Sequence, residues 1–198
     1  MTAERPESGR GPTTRAGVAE ASLIGVAGVG AVLASFAVAP GWLGVAGAAL
    51  AILALAIAVV DGRRLIIPDE LNALAFIAGL ATAGLTGQAA PREAVLSALL
   101  RAAVMSAAFF AFRAGYRGLR RREGMGLGDV KLAAVAGVWL DWTDLPVAVD
   151  IAALSALASA LLCRLRGNEW SLAAKLPFGA FFAPAIWICW LLATCRGG

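Results

Sequence analysis

The chain has 198 residues, 60% of them hydrophobic and only 15% charged, with a mean hydropathy of +0.79. A water-soluble globule of this composition would expose large apolar patches, so the chain is read as a membrane protein. It contains no histidine, and Cys163, Cys189 and Cys195 form no CxxC pair, which excludes a zinc site and every histidine-dependent protease device; no metal or cofactor is expected.

Residues 1–20 hold Arg5, Arg10, Arg15, Pro6 and Pro12 among small polar residues without apolar periodicity, and read as a flexible tail ahead of a transmembrane domain over 21–196. The run over 22–39 has the apolarity of a signal-peptide core, but it leads straight to a second apolar run with no convincing cleavage site, so it is read as a span. At about 20 residues per crossing, the apolar runs predict helices near 22–39, 42–60, 70–87, 94–114, 127–140, 146–163 and 177–194. The third and fifth are short and weakly apolar and should insert only with neighbours to pack against, and the many small residues suit close helix contacts. The expected fold is all-α, a polytopic bundle of about seven transmembrane helices.

The formal net charge of +4 does not point to nucleic acid, because the basic residues lie in short loops between apolar runs. One side collects Arg5, Arg10, Arg15, Arg63, Arg64, the cluster from Arg113 to Arg122, Lys131, Arg164, Arg166 and Lys175. The other has Arg92 and Arg196, with Arg101 inside a span. That asymmetry makes the first side cytoplasmic and places the N-terminus there. The arginine cluster is read as a topogenic and head-group anchor in preference to a substrate-steering patch. Arg101 and Asp150 fall at matching depths, and independent snorkelling is favoured over pairing between them.

Gly124-Met125-Gly126-Leu127-Gly128-Asp129-Val130-Lys131 sets an acid and a base at the head of an apolar run. A charge at membrane depth costs roughly 3 kcal/mol on insertion scales, so Asp129 is a candidate site residue. Glycines there allow unusual backbone conformations and close approach of another chain. The plain alternative is a turn whose Asp caps a helix and whose Lys131 snorkels to the head groups. A second acid, Asp61, closes the run 42–60 and precedes Gly62-Arg63-Arg64-Leu65-Ile66-Ile67-Pro68-Asp69.

An Asp, five residues, Ile-Pro-Asp, and later a GxGD with Lys two residues on together resemble the type IV prepilin peptidases, which are aspartic intramembrane proteases. Leu-Ala-Ala-Val-Ala-Gly-Val-Trp over 132–139 and Leu-Pro-Phe-Gly-Ala-Phe-Phe over 176–182 extend the resemblance across residues 42–192. It implies a multi-pass aspartic endopeptidase of the bacterial cytoplasmic (inner) membrane, which removes short basic leader peptides from prepilin or pseudopilin substrates at the cytoplasmic face. Its partners are then the leader peptide and the lipid bilayer, with no nucleic acid; no oligomeric state is indicated. Asp61 and Asp129 match the family's catalytic acids, with Gly126, Gly128 and Lys131 supporting the site. Pro177, Phe178 and Gly179 are substrate-facing candidates, against the plain reading of a helix start with Pro in its first turn. Asp69 competes with Asp61, but its place after Pro68 suits a helix cap. Many members carry an N-terminal insertion with paired cysteines associated with methylation; without it this chain is similar to the smaller, peptidase-only members, including those serving tight-adherence pili.

Two carboxylates hydrolyse a peptide bond when one is ionised and the other protonated, so the pair must share one proton. Counting 1.5 Å per residue sets Asp61 near the cytoplasmic surface and Asp129 only about midway across. Tilt, local thinning or a longer fifth helix must bring them together, around a water-filled recess open to the cytoplasm. Two further readings are an ion-coupled transporter using the same acids and a catalytically inactive pilus-assembly scaffold. No inverted repeat supports the first, and the presence of both acids speaks against the second.

Overall fold

The computed structural model describes residues 15–87, 89–120, 126–166 and 177–197. The expected tail up to residue 14, together with Arg121, Arg122, Gly124, Met125, Lys175 and Leu176, lies outside them. The described residues form α1 (Arg15–Val38), α2 (Trp42–Arg64), α3 (Asp69–Thr86), α4 (Pro91–Arg120), α5 (Leu127–Trp139), α6 (Asp144–Leu165) and α7 (Phe178–Gly197). This is the expected set of helices, with different ends. α1 starts ahead of its apolar run, and α4 continues past residue 114 to Arg120. α2 runs on through Asp61 to Arg64, since basic residues suit the negative end of a helix. The chain turns out of α2 at Leu65, whose φ of 55° lies in the left-handed region.

Five helices are long and apolar enough to cross a membrane: α1 from Ala19, α2, α4 as far as Gly118, α6 and α7. The chain is a multi-pass membrane protein. α3 and α5 are not among the five, and they lie against neighbours as their weak apolarity requires. α5 is buried along most of its length, packed against α3, α4, α6 and α7. α7 is the other inner helix, lying against α1, α2, α5 and α6. Gly137 lets α5 touch α4: a Cβ there would come closer than 3.0 Å to the backbone of Arg101 and Ala102. The Trp139 indole N–H donates to the Ala75 carbonyl at 2.8 Å, which ties α5 to α3 and satisfies a buried donor.

At 13 residues, α5 is about 20 Å long, well short of the roughly 30 Å of a bilayer's hydrocarbon core. Its C-terminal end packs against its neighbours, Leu140 being only 1% exposed, and the chain is exposed again from Asp141. A cavity of about 780 Å³ lies at that end, lined in part by Ser97, Arg101, Trp139, Asp141 and Trp190. The last carbonyls of a helix have no partner within it. Arg101 supplies one here, its Nε donating to Gly137 O at 3.1 Å and its Nη1 to Ser97 Oγ at 2.9 Å, with Asp141 Oδ1 at 3.3 Å. Arg101 thus neither snorkels nor pairs with Asp150. The backbones of α4 and α6 do not meet among the described residues, and Asp150 is exposed on α6.

Candidate active site

Asp61 lies in the last turn of α2 and Asp129 is the third residue of α5; they are 5% and 9% exposed. A carboxylate that far from water needs hydrogen-bond donors. Asp61 Oδ2 accepts the backbone N–H of Ala180 at 2.9 Å, in the first turn of α7, where helix N–H groups are unpaired. Asp129 Oδ2 accepts the N–H of Gly126 at 3.1 Å, at the head of its own helix. Both acids thus face helix N-termini, and their charges lie within electrostatic reach of each other. α5 has 13 residues, so a longer fifth helix is not what brings the two acids together.

Against both Gly128 and Gly179 sits Ile67, in the connection from α2 to α3. A Cβ on Gly128 would stand 3.0 Å from the Ile67 Cβ, and one on Gly179 would stand 2.6 Å from its Cδ1 and 2.9 Å from Asp61 Oδ2. Gly179 is therefore demanded by close approach, and Gly128 sits in a tight contact that a Cβ would strain. Gly126 is not so placed: its φ of −73° is open to any residue, and its Cβ would meet nothing nearer than 3.5 Å. What Gly126 contributes is its N–H. The expectation of unusual backbone at this glycine is corrected accordingly.

Asp69 is the first residue of α3, with Pro68 in the cap position and no side-chain cap bond. Instead of capping, its Oδ1 takes the Lys131 ammonium at 2.6 Å in a solvent-exposed ion pair, so Lys131 is tethered rather than reaching to head groups. Pro177 precedes α7, and its carbonyl shares the Ala180 N–H at 3.2 Å. Phe178 packs 5.3 Å from Phe182 and 6.2 Å from Phe109, ring centre to ring centre, which locks the start of α7 to α4. Of the three substrate-facing candidates, Gly179 alone lies against Asp61 and Phe178 is engaged in packing. A cavity of about 560 Å³ adjoins the site, lined in part by Asp69, Asn72, Phe76, Val130 and Lys131.

Sequence reasoning passed over three residues. Ala180 acts through its backbone and leaves no side-chain signal. Ile67 was read only as part of a motif. Asn72, whose Nδ2 approaches Gly128 O at 3.5 Å and whose buried Oδ1 has no partner among the described residues, was visible as a polar amide one turn into an apolar helix.

This geometry stands beside a clear relationship to known proteins. The type IV leader peptidase family matches over residues 48–163, a span that holds both acids. The chain belongs to the type IV leader peptidase family. Among its relatives, a prepilin leader peptidase/N-methyltransferase of Aeromonas hydrophila is 32% identical over 161 residues, 81% of this chain and 53% of the relative. One from Burkholderia pseudomallei is 36% identical over 159 residues, 76% of this chain and 50% of the relative. The leader peptidase HopD of Escherichia coli is 35% identical over 125 residues, 63% of this chain and 78% of the relative. The chain spans about half the length of the peptidase/N-methyltransferases it matches. No solved structure matches it. The family match ends before α7, so the turn that carries Gly179 and Ala180 lies beyond it.

Proposed function

We propose that this protein is an aspartic endopeptidase of the GxGD kind, cleaving short basic leaders from prepilin or prepilin-like substrates at the cytoplasmic face of the bacterial inner membrane. Asp61 and Asp129 are its catalytic pair. The observation that carries the reading is two buried carboxylates, from helices distant in sequence, each held through Oδ2 by an N–H at a helix N-terminus, with Asp61 close enough for its charge to act on Asp129. Family membership, and relatives named for prepilin leaders, support the substrate class. Arg63, Arg64, Arg113, Arg117 and Arg164 gather at the same end of the bundle as the acids, which favours a cytoplasmic position for that end.

In this mechanism the ionised acid takes a proton from a water molecule as the water oxygen bonds to the scissile carbonyl carbon. The protonated acid donates to the carbonyl oxygen, and a tetrahedral adduct forms. Collapse of that adduct breaks the C–N bond, the leaving nitrogen takes a proton from the pair, and the adduct hydroxyl returns one. The pair ends as it began, with one shared proton. The amides of Ala180 and Gly126 fix the carboxyl groups through the cycle, a form of positioning that needs no reorganisation during reaction.

Co-expression with candidate prepilins, scored by leader loss as a mass shift, tests the reading. Wild-type protein should process at least one prepilin, and Asp61→Asn or Asp129→Asn should leave the precursor intact. Processing that survives both substitutions together would remove the acids from the mechanism.

A further inference from the structure

We propose that Ile67 is a positioning residue: its side chain is the spacer that sets the distance between the heads of α5 and α7, and with it the separation of the two carboxylates. The inference deepens the peptidase reading above and rests on it.

The connection between α2 and α3 carries three apolar residues in a row. Leu65 and Ile66 are 48% and 63% exposed, whereas Ile67 is 7% exposed and belongs to the core. Only Ile67 turns inward, and the backbone on either side holds it there. Leu65 sits in the left-handed region at φ 55° and ψ 34°, a conformation a branched residue rarely adopts and one that redirects the chain after α2. Pro68 restricts the residue before it to extended backbone, which is Ile67 itself.

What Ile67 meets is the backbone of the two helix heads. The three nearest atoms to a Cβ on Gly128 are all its own, Cβ at 3.0 Å, Cγ1 at 3.3 Å and Cδ1 at 3.4 Å. A Cβ on Gly179 would meet Cδ1 at 2.6 Å and Cγ1 at 3.1 Å. Gly128 precedes Asp129, and Gly179 precedes the Ala180 amide that holds Asp61. One side chain therefore gauges both halves of the site. Branching at Cβ makes it a stiff gauge, because χ1 of Ile has little freedom. The first turn of α3, directly after the connection, meets α5 twice more, through Asn72 on Gly128 O and Asp69 on Lys131. Those contacts keep α5 seated against the spacer.

The test is a compensation experiment on purified protein, with a prepilin that the wild type cleaves as the probe and detergent melting to confirm that each variant is folded. Gly128→Ala sets a Cβ 3.0 Å from the Ile67 Cβ, a contact relieved by a shift of about a few tenths of an ångström, and should lower kcat by about tenfold with KM little changed. Ile67→Ala removes the Cγ1 and Cδ1 that lie against Gly179 and Gly128 while keeping Cβ, and should also act on kcat. The double variant Ile67→Gly/Gly128→Ala should regain most of that loss, because glycine at 67 also removes the Cβ at 3.0 Å, which alanine would keep. Gly179→Ala should not be restored by Ile67→Ala, because Asp61 Oδ2 still stands in the way. A folded double variant no better than Gly128→Ala, or an Ile67→Ala effect confined to KM, overturns the spacer. Should Gly128→Ala not fold, Ile67→Ala alone decides through the same split between kcat and KM. A wild type that cleaves no prepilin sinks the peptidase reading itself, an outcome distinct from the others.

Discussion

Asp61 and Ala180 are 119 residues apart in the chain, and the Ala180 N–H donates to Asp61 Oδ2 at 2.9 Å. An asparagine at position 61 still offers that amide an oxygen. Asp61→Asn should therefore keep the wild-type melting behaviour while abolishing leader cleavage, and Asp129→Asn should do the same through Gly126. Melting curves read beside cleavage of a co-expressed prepilin check this. Loss of the fold in either variant would make the carboxylate structural rather than chemical.

Asp69→Asn should be mild. The ion pair it breaks with Lys131 has side chains 69% and 53% exposed, so water screens it and its worth is about 0–1 kcal/mol. Cleavage should stay within a few-fold of wild type. If Asp69→Asn abolishes processing and Asp61→Asn does not, the first acid has been misassigned.

The glycines of α5 separate by what surrounds them. Gly137→Ala sets a methyl group against the backbone of Arg101 and Ala102, which cannot move aside as a side chain can, and should cost about 1–3 kcal/mol. Gly126→Ala should be close to neutral in stability, its nearest neighbour being Asp129 Oδ2 at 3.5 Å. Equal melting temperatures for the two variants would contradict the helix contact described above.

Arg101→Leu should destabilise the protein far more than Asp141→Asn. The substitution at 101 leaves the Gly137 carbonyl buried and unpaired, at about 1–3 kcal/mol, whereas Asp141 is 79% exposed and can be solvated. Thermal melting in detergent ranks the two. A larger loss from Asp141→Asn would make the ion pair, not the helix cap, the stabilising contact.

The helices were legible because each apolar run must be about as long as a membrane is thick. Their ends were less so, since polar residues such as Asp61, Arg63 and Arg64 can continue a helix that apolarity alone would stop. Both acids were legible by their cost in apolar surroundings and by the motifs around them. Their setting was not. The donors to Asp61 and Asp129 are backbone N–H groups, which every sequence supplies everywhere, and Ile67 looks like any buried isoleucine until the chain folds Gly128 and Gly179 against it. The comparison of Arg101 with Asp150 shows another limit. Rise per residue gives depth along a helix but not the direction a side chain faces, and the partner proved to be the end of α5.

Because α7 follows the other six helices in the chain, the amide that holds Asp61 is among the last parts of the site to be synthesised. Both acids are synthesised before Ala180. On the peptidase reading, the newborn enzyme is mute: it gains the power to cut only when α7 slots in beside α2, so an unfinished molecule poses no threat to passing polypeptides. Chains released after Arg166 should accordingly leave prepilins uncut, even with Asp61 and Asp129 intact.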